Sequence, residues 1–452
     1  MIYLQNTLSG KKEEFTPIKE GEVSMYNCGP TVYDFAHIGN FRTFILYDLL
    51  RRMFEYNNYN VNQVMNITDV DDKTIKRSRS EHVSLGTLTI KYEAIFLNDL
   101  KSLNILPAKK TPRATESISD MIELIETLLQ KEIAYKSSDG IYFDISKSKN
   151  YGQLSGLRLD NLTRERIAND EYDKASPRDF ALWKFYTDED GDVAYDAPFG
   201  KGRPGWHIEC SAMSMKALGE TIDVHAGGQD LLFPHHTNEI AQSEGATGKT
   251  FVNYWVHGGM ITIDGKKMAK SLDNFFTLES LREKGIDPMA YRYFVLGAHY
   301  SSLLNFTWEA VEGAQVAWKK LHSFMSKKHF DSSTKTVIVS DYVERFVEYI
   351  NDDLNMPQAL ALVWEIVKND ELEDSQKRKL ILDFDKVLGL KLDEPMSRTV
   401  LDIPENVQNL VTERDLARSE KNFVKSDELR EKIEELGFEV MDTLEGTEVI
   451  KK

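Results

Sequence analysis

Apolar positions near the start of the chain change period twice. Residues 23–28 (Val-Ser-Met-Tyr-Asn-Cys) read as a short strand that stops at Gly29-Pro30, a breaker pair. From 39 to 55, Leu46, Leu49, Leu50, Met53 and Phe54 recur at helical spacing and form an apolar stripe. Residues 61–67 return to a strand pattern. Strand, helix, strand in this order predicts the start of a parallel α/β sheet.

That pattern is interrupted between residues 111 and 204. An amphipathic helix is expected over 118–130 and a strand over 140–145, while 146–204 is polar and loop-rich, with Pro177, Pro198 and Pro204. This reads as an insertion between two halves of a sheet domain. The sheet pattern resumes with a strand over 221–225, a helix over 234–244 opened by Pro234, and a strand over 253–257. Residues 261–267 predict a hairpin, because Asp264-Gly265 suits a tight primed turn. From 308 onward the chain reads as helical, with Val343, Phe346, Val347 and Ile350 on one face. A last helical stretch, 408–436, is closed by Gly437, and 438–441 reads as a small final strand.

Composition narrows the class. A chain of 452 residues exceeds one compact core and predicts several domains. With 56 basic and 73 acidic residues the net charge is −17, which argues against a protein that coats nucleic acid without sequence preference. No apolar stretch approaches the ~18 residues of a membrane span, and the N-terminus has no basic region followed by an apolar run. Two cysteines make no disulfide framework. A reducing cytoplasm is the expected compartment.

Three clusters carry candidate chemistry. Cys28 ends the first strand, Cys210 lies far downstream, and Phe233-Pro-His-His-Thr-Asn-Glu239 follows. If Pro234 opens a helix, His235 shares a face with Glu239 at i,i+4, and His236 approaches it at i,i+3. Zinc accepts thiolate, imidazole and carboxylate together, so two cysteines, one histidine and Glu239 would fill four places. Spacing does not choose between His235 and His236. Lone cysteines are more often plain buried hydrophobes, which is the competing reading. Next, His37-Ile-Gly-Asn40 lies at the turn into the first helix, where free N–H groups and the helix dipole favour phosphate. Gly39 would admit phosphate close to the backbone, and His37 and Asn40 would donate hydrogen bonds; the competing reading is an ordinary turn with a capping Asn. Lastly, Lys267-Met-Ala-Lys270-Ser follows the hairpin, and two lysines on a loop can meet a triphosphate.

Together these motifs resemble the cysteinyl-tRNA synthetase family of class I aminoacyl-tRNA synthetases, along nearly the whole chain. Met25-Tyr-Asn-Cys-Gly-Pro-Thr-Val-Tyr33 is similar to the family's opening strand and loop, and His37 to Asn40 to its HIGH motif. Gly205-Trp-His-Ile-Glu-Cys-Ser-Ala-Met213, Gly227-Gly-Gln-Asp-Leu-Leu-Phe-Pro-His-His236 and Lys267 to Ser271, the KMSKS loop, are similar to its other signatures. The resemblance implies an α/β fold: a Rossmann-type parallel-sheet catalytic domain in two halves, 1–110 and 205–265, split by a connective insertion at 111–204. A KMSKS loop and stem-contact region (266–310), a helical-bundle tRNA-binding domain (311–400) and a small C-terminal anticodon-binding domain (401–452) would follow. It assigns Cys28, Cys210, His235 and Glu239 as ligands of one zinc per chain, with His236 beside them. It implies ATP with Mg2+, L-cysteine and tRNA(Cys) as partners, no membrane, and a monomer.

The implied reaction makes cysteinyl-adenylate from cysteine and ATP, then transfers the cysteinyl group to tRNA, with zinc selecting the substrate thiolate. His37, Asn40, Lys267 and Lys270 would act on the phosphates, and Gly39, Asp230 and Lys270 would bind ATP. For Asp230, a contact with the ATP ribose and one with the substrate amino group both stay open. Thr68 and Trp206 would contact the substrate, Trp206 over its side chain. Several positions depart from the family: Asn40 for His, Ala269 for Ser, Asp273 for Gly, Thr237 for Glu, and Val449 for Trp. Other readings are a ligase joining cysteine to an amino sugar, against which the long helical tail argues, and a non-catalytic relative, against which both lysines and all four ligands argue.

Overall fold

The computed structural model describes residues 1–156, 179–268, 272, 274–326, 340–394, 404–419, 422–443 and 446–451. They divide into two units, Met1–Leu392 and Asp393–Lys452. The first unit opens with an antiparallel hairpin, β1 (Tyr3–Asn6) and β2 (Lys11–Glu14). The expected strand, helix and strand follow as β3 (Glu22–Asn27), α1 (Ile38–Tyr56) and β4 (Asn60–Met65). Helix α1 buries Phe41, Phe44, Ile45, Leu49, Leu50 and Met53, and each such side chain contributes roughly 1.5–3 kcal/mol of burial. Next come α2 (Asp72–Glu81) and α3 (Leu85–Ser102), which the pattern of apolar positions does not foretell. Helix α2, Asp-Lys-Thr-Ile-Lys-Arg-Ser-Arg-Ser-Glu, buries only Thr74, Ile75 and Ser78, too narrow a stripe to stand out.

The insertion contains α4 (Ile118–Gln130), β5 (Ala134–Lys136), β6 (Gly140–Phe143), β7 (Phe180–Phe185) and β8 (Gly202–Pro204). Its strands form an antiparallel sheet in the order β5-β6-β7-β8. Strands β7 and β8 lie in the stretch expected to be loop. Phe-Ala-Leu-Trp-Lys-Phe is buried nearly throughout, so it lacks the alternation that marks a half-exposed strand. Leu124, Ile125, Ile141, Phe143, Leu182 and Trp183 share a core with Ile208 and Met213 of the following helix.

That helix is α5 (Trp206–Leu218), followed by β9 (Ile222–Gly228), α6 (Thr237–Thr247) and β10 (Val252–Gly258). Pro234 lies three residues before the regular helix. Phe233 has an extended backbone (φ −141°, ψ 130°) that kinks the chain there, and the Phe233-Pro234 peptide is cis. The central sheet runs β10-β9-β3-β4 with every neighbouring pair parallel. Strand β9 is buried at all its positions, as a parallel strand covered on both faces should be. Chain order reverses between β3 and β9. Open parallel sheets bind ligands outside the carboxyl ends of their strands at such a point.

Beyond the sheet lie β11 (Ile261–Ile263), β12 (Lys266–Lys267), α7 (Leu278–Glu283), α8 (Pro288–Leu296), β13 (Leu304–Phe306) and α9 (Trp308–Met325). Helices α10 (Ser340–Asn351), α11 (Met356–Lys368) and α12 (Asp374–Leu388) complete the unit. In the second unit the expected single helix is two, α13 (Glu405–Ser419) and α14 (Phe423–Glu435). The expected last strand is a hairpin, β14 (Phe438–Thr443) with β15 (Gly446–Lys451). Val407, Ile433, Phe438 and Val440 form that unit's own core. Among the described residues no helix is long and apolar enough to cross a membrane.

Candidate metal centre and nucleotide cleft

The carboxyl ends of β3 and β9 and the facing ends of α5 and α6 bring Cys28, Cys210, His235 and Glu239 together, although the chain separates them widely. Their ligand atoms all lie within 4.8 Å of one another, and all four residues are buried. The two Sγ atoms are 3.9 Å apart, close to the ~3.8 Å edge of a tetrahedron with zinc–sulfur bonds of about 2.3 Å. His235 Nε2 is 3.0 Å and Cys28 Sγ 3.8 Å from Glu239 Oε1. The sulfur, imidazole and carboxylate donors suit zinc. A second set, Cys28, His225, His236 and Glu239, meets the same distance limit. His236 Nε2 lies 3.3 Å from Cys28 Sγ and 4.0 Å from Glu239 Oε1. Proximity alone therefore admits both histidines.

Further histidines, which the sequence did not single out, surround the cluster. His225 Nε2 lies 2.9 Å from Glu239 Oε2. His207 Nδ1 is 2.9 Å from His235 Nδ1, and His257 Nε2 is 2.8 Å from His236 Nδ1. His257 Nδ1 in turn meets Thr7 Oγ1 at 2.8 Å. Only the fold gathers residues this far apart. The one signal in the chain was the alternation of His225 and His257 with apolar residues at strand ends.

Charges in the cluster follow from burial and pairing. Burial raises the Glu239 carboxyl, but His225 and His235 outweigh it and hold it at about 2. Burial likewise disfavours the His235 imidazolium, yet Glu239 and Cys210 lift it to about 10. Burial pushes the Cys28 thiol up, with Cys210 and Glu239 adding to it. The hydrogen bond with Cys28 brings Cys210 down to about 6. Without metal the four groups therefore hold a thiol, a thiolate, an imidazolium and a carboxylate.

Trp206, at the first turn of α5, stacks on His235 with centroids 4.4 Å apart and planes at 28°, and keeps 39% of its surface exposed. It is not a core residue. Thr68 is buried, donates to Glu209 Oε2 (2.9 Å) and accepts from Asn66 Nδ2 (3.1 Å). Asp230 follows the Gly227-Gly228 end of β9 and is exposed.

His37 caps α1. Its Nδ1 accepts from the Asn40 N–H and its own N–H donates to Asn40 Oδ1, both at 3.1 Å. Asn40 thus completes a capping box and closes the first turn, as the reading of this stretch as a turn with a capping Asn expected. A Cβ on Gly39 would lie 3.0 Å from the His37 ring and from Ile261 of β11, so glycine is what fits. Ile38 N donates to Phe276 O (2.9 Å), and the His37 ring meets Phe275 edge-on. Lys267 is exposed at the end of the expected hairpin, and its carbonyl accepts from Asn274 Nδ2 (3.0 Å). Lys270, Ala269, Ser271 and Asp273 lie outside the described residues. The residues thus fall into two groups, one around the cluster and one around the start of α1.

Comparison with known proteins gives this geometry its class. Residues 14–316 match the family model described as the class I (C) tRNA synthetase catalytic domain, so the sheet and its insertion are of that class. Solved structures agree on the fold. The Mycobacterium tuberculosis methionyl-tRNA synthetase in complex with methionyl-adenylate has a TM-score of 0.57 at 14% identity, covering 82% of this chain and 90% of that one. The Agrobacterium radiobacter LeuRS–tRNA–LeuAMS ternary complex has a TM-score of 0.60 at 10% identity, covering 83% and 85%. Curated relatives are closer. The cysteine–tRNA ligase of Protochlamydia amoebophila is 44% identical over 100% of this chain and 98% of its own length. That of Brachyspira hyodysenteriae is 42% identical over 100% and 99%. The chain belongs to the cysteine–tRNA ligases, enzymes that join cysteine to tRNA.

Proposed function

We propose that the enzyme makes cysteinyl-adenylate from L-cysteine and ATP-Mg2+, passes the cysteinyl group to tRNA(Cys), and selects its substrate with zinc held by Cys28, Cys210, His235 and Glu239. The observation that carries this is the pair of buried sulfurs 3.9 Å apart with an imidazole and a carboxylate at the sheet's reversal point. His235 is favoured over His236 because its set brings in the second thiolate. His207, against Nδ1 of His235, fixes that ring as an outer partner does in metal sites. When bound, zinc supplies a soft Lewis acid that prefers sulfur to oxygen and lowers a thiol's pKa. This separates cysteine from serine, which differ too little for shape alone, one methylene being worth roughly 1–3 kcal/mol.

The remaining roles belong to the protein's own groups. Trp206 covers the substrate side chain from the His235 side. Thr68, its hydroxyl proton committed to Glu209 and one lone pair to Asn66, turns its remaining lone pair to the substrate ammonium. The substrate carboxylate attacks the α-phosphorus, a carboxyl O–P bond forms, and the bond to pyrophosphate breaks. No side chain acts as nucleophile. Instead the first turn of α1, with His37, Gly39 and Asn40, receives phosphate oxygens, and Lys267 and Lys270 neutralise the departing pyrophosphate. Asp230 meets the ATP ribose or the substrate amino group. Residues 1–110 and 205–265 make this site, 111–204 and 266–310 flank it, and 311–400 and 401–452 hold tRNA. The free thiols fit a reducing cytoplasm.

Cysteine-dependent ATP–pyrophosphate exchange, followed by tRNA charging, tests the proposal. Zinc-loaded protein should do both, and serine should be activated poorly. Serine activated as well as cysteine would remove the selectivity claim.

A further inference from the structure

One buried cation at the cleft has no part in the roles above. Arg42, on α1 one turn below the capping box, is 3% exposed. Its guanidinium is held by five backbone carbonyls. One terminal nitrogen donates to Gly259 O (2.9 Å) and Met260 O (2.6 Å). The other donates to His299 O (3.2 Å), Tyr300 O (3.2 Å) and Ser302 O (2.6 Å).

These carbonyls come from two segments that run side by side into a parallel strand pair. Residues 259–260 lead from β10 into β11, and 299–302 lead into β13. Gly259 N donates to Tyr300 O (2.8 Å) and Leu304 N to Met260 O (3.0 Å). The two approach closely, since a Cβ on Gly259 would sit 2.3 Å from Ser302 O and 2.6 Å from Ser301 O. Just past this contact, β11 pairs with β13 on one side and with β12, which ends in Lys267, on the other. Converging carbonyl dipoles repel one another unless a cation sits among them. A guanidinium, with its rigid fork of donors, spans five acceptors, whereas an ammonium has three donors around one point. The same helix meets the start of the hairpin at Gly39 as well, where an added Cβ would lie 3.0 Å from Ile261.

We propose that Arg42 is a positioning residue for adenylation. It locks the root of the lysine hairpin to α1 and so sets the distance between the two elements that meet the triphosphate. The proposal rests on the reading of this cleft as the ATP site. Arg42 touches no reacting atom and acts through Lys267.

The test uses the full-length, zinc-loaded enzyme, its R42K, K267A and R42K/K267A variants, and cysteine-dependent ATP–pyrophosphate exchange. R42K should keep its zinc and its KM for cysteine within about twofold, while kcat falls roughly 100-fold, the effect of a small misplacement of reacting groups. The double variant should lose little beyond K267A alone, because both changes disable one device. Wild-type kcat in R42K, losses that multiply in the double variant, or a cysteine KM that worsens in step with kcat would each overturn the proposal. If R42K is not folded by circular dichroism, Gly259→Ala carries the test from the carbonyl side of the same contact. It should reproduce the kcat loss without a change in cysteine KM, and wild-type kcat there would refute the proposal. A zinc-loaded wild type without exchange would instead remove the adenylation reading itself.

Discussion

Lowering the pH from about 7.5 to about 6.5 should weaken zinc binding about 100-fold, because metal must displace the protons that the empty cluster holds. Glu239, at about 2, is a carboxylate throughout this range. Cys210, at about 6, is mostly thiolate. His235, lifted to about 10, carries a proton, and Cys28, pushed up by burial, keeps its own. Binding to all four groups therefore releases about two protons. Each contributes about 1.4 kcal/mol per pH unit, so the change is about 2.7 kcal/mol. Acid fills the sites that the metal needs, so affinity falls as pH falls. Below the Cys210 value a third proton steepens the slope. Competition against a chelator of known pH behaviour reads the affinity, and calorimetry in two buffers of different ionisation enthalpy counts the protons. A change of less than about threefold over that pH unit would refute the protonation pattern.

Asp48 accepts from Arg52 Nε (2.7 Å), a terminal nitrogen of Arg292 (2.6 Å) and the Leu106 N–H (2.9 Å), all in the interior. Asp48→Ala strands a fully buried guanidinium and should cost about 3–5 kcal/mol in denaturant unfolding; less than about 1 kcal/mol would contradict this. Trp206→Ala should raise the KM for cysteine about threefold to tenfold, the worth of an aromatic contact, with zinc content unchanged. An unaltered KM would take Trp206 out of the substrate pocket. Cys210→Ser should lose cysteine-dependent exchange and most bound zinc, which metal analysis of the purified protein would read.

The α/β class was legible because β3, α1 and β4 each hold to one period, and the motif residues around Cys28, His37 and His235 lie at element ends. Other features were not. Strand β7 is too evenly buried to alternate, and α2 too polar to show a stripe. Pro234 suggested a helix start from its preference for that position, and the regular helix begins at Thr237, after the kink at Phe233. The choice between His235 and His236 depends on which ring faces Cys210 and which faces His257, a matter of tertiary packing. The capping role of Asn40 was legible as the alternative reading of its motif, since it sits three residues after His37. Arg42 was invisible, since its acceptors are backbone carbonyls, which carry no sequence signature.

The central claim is that the substrate thiol is recognised by sulfur-to-metal contact at this cluster. Cobalt(II) substituted for zinc makes that contact visible as sulfur-to-metal charge-transfer absorption. Adding cysteine should increase the band, and adding serine should leave it unchanged. A spectrum indifferent to saturating cysteine, in protein that still carries out cysteine-dependent exchange, would contradict the account.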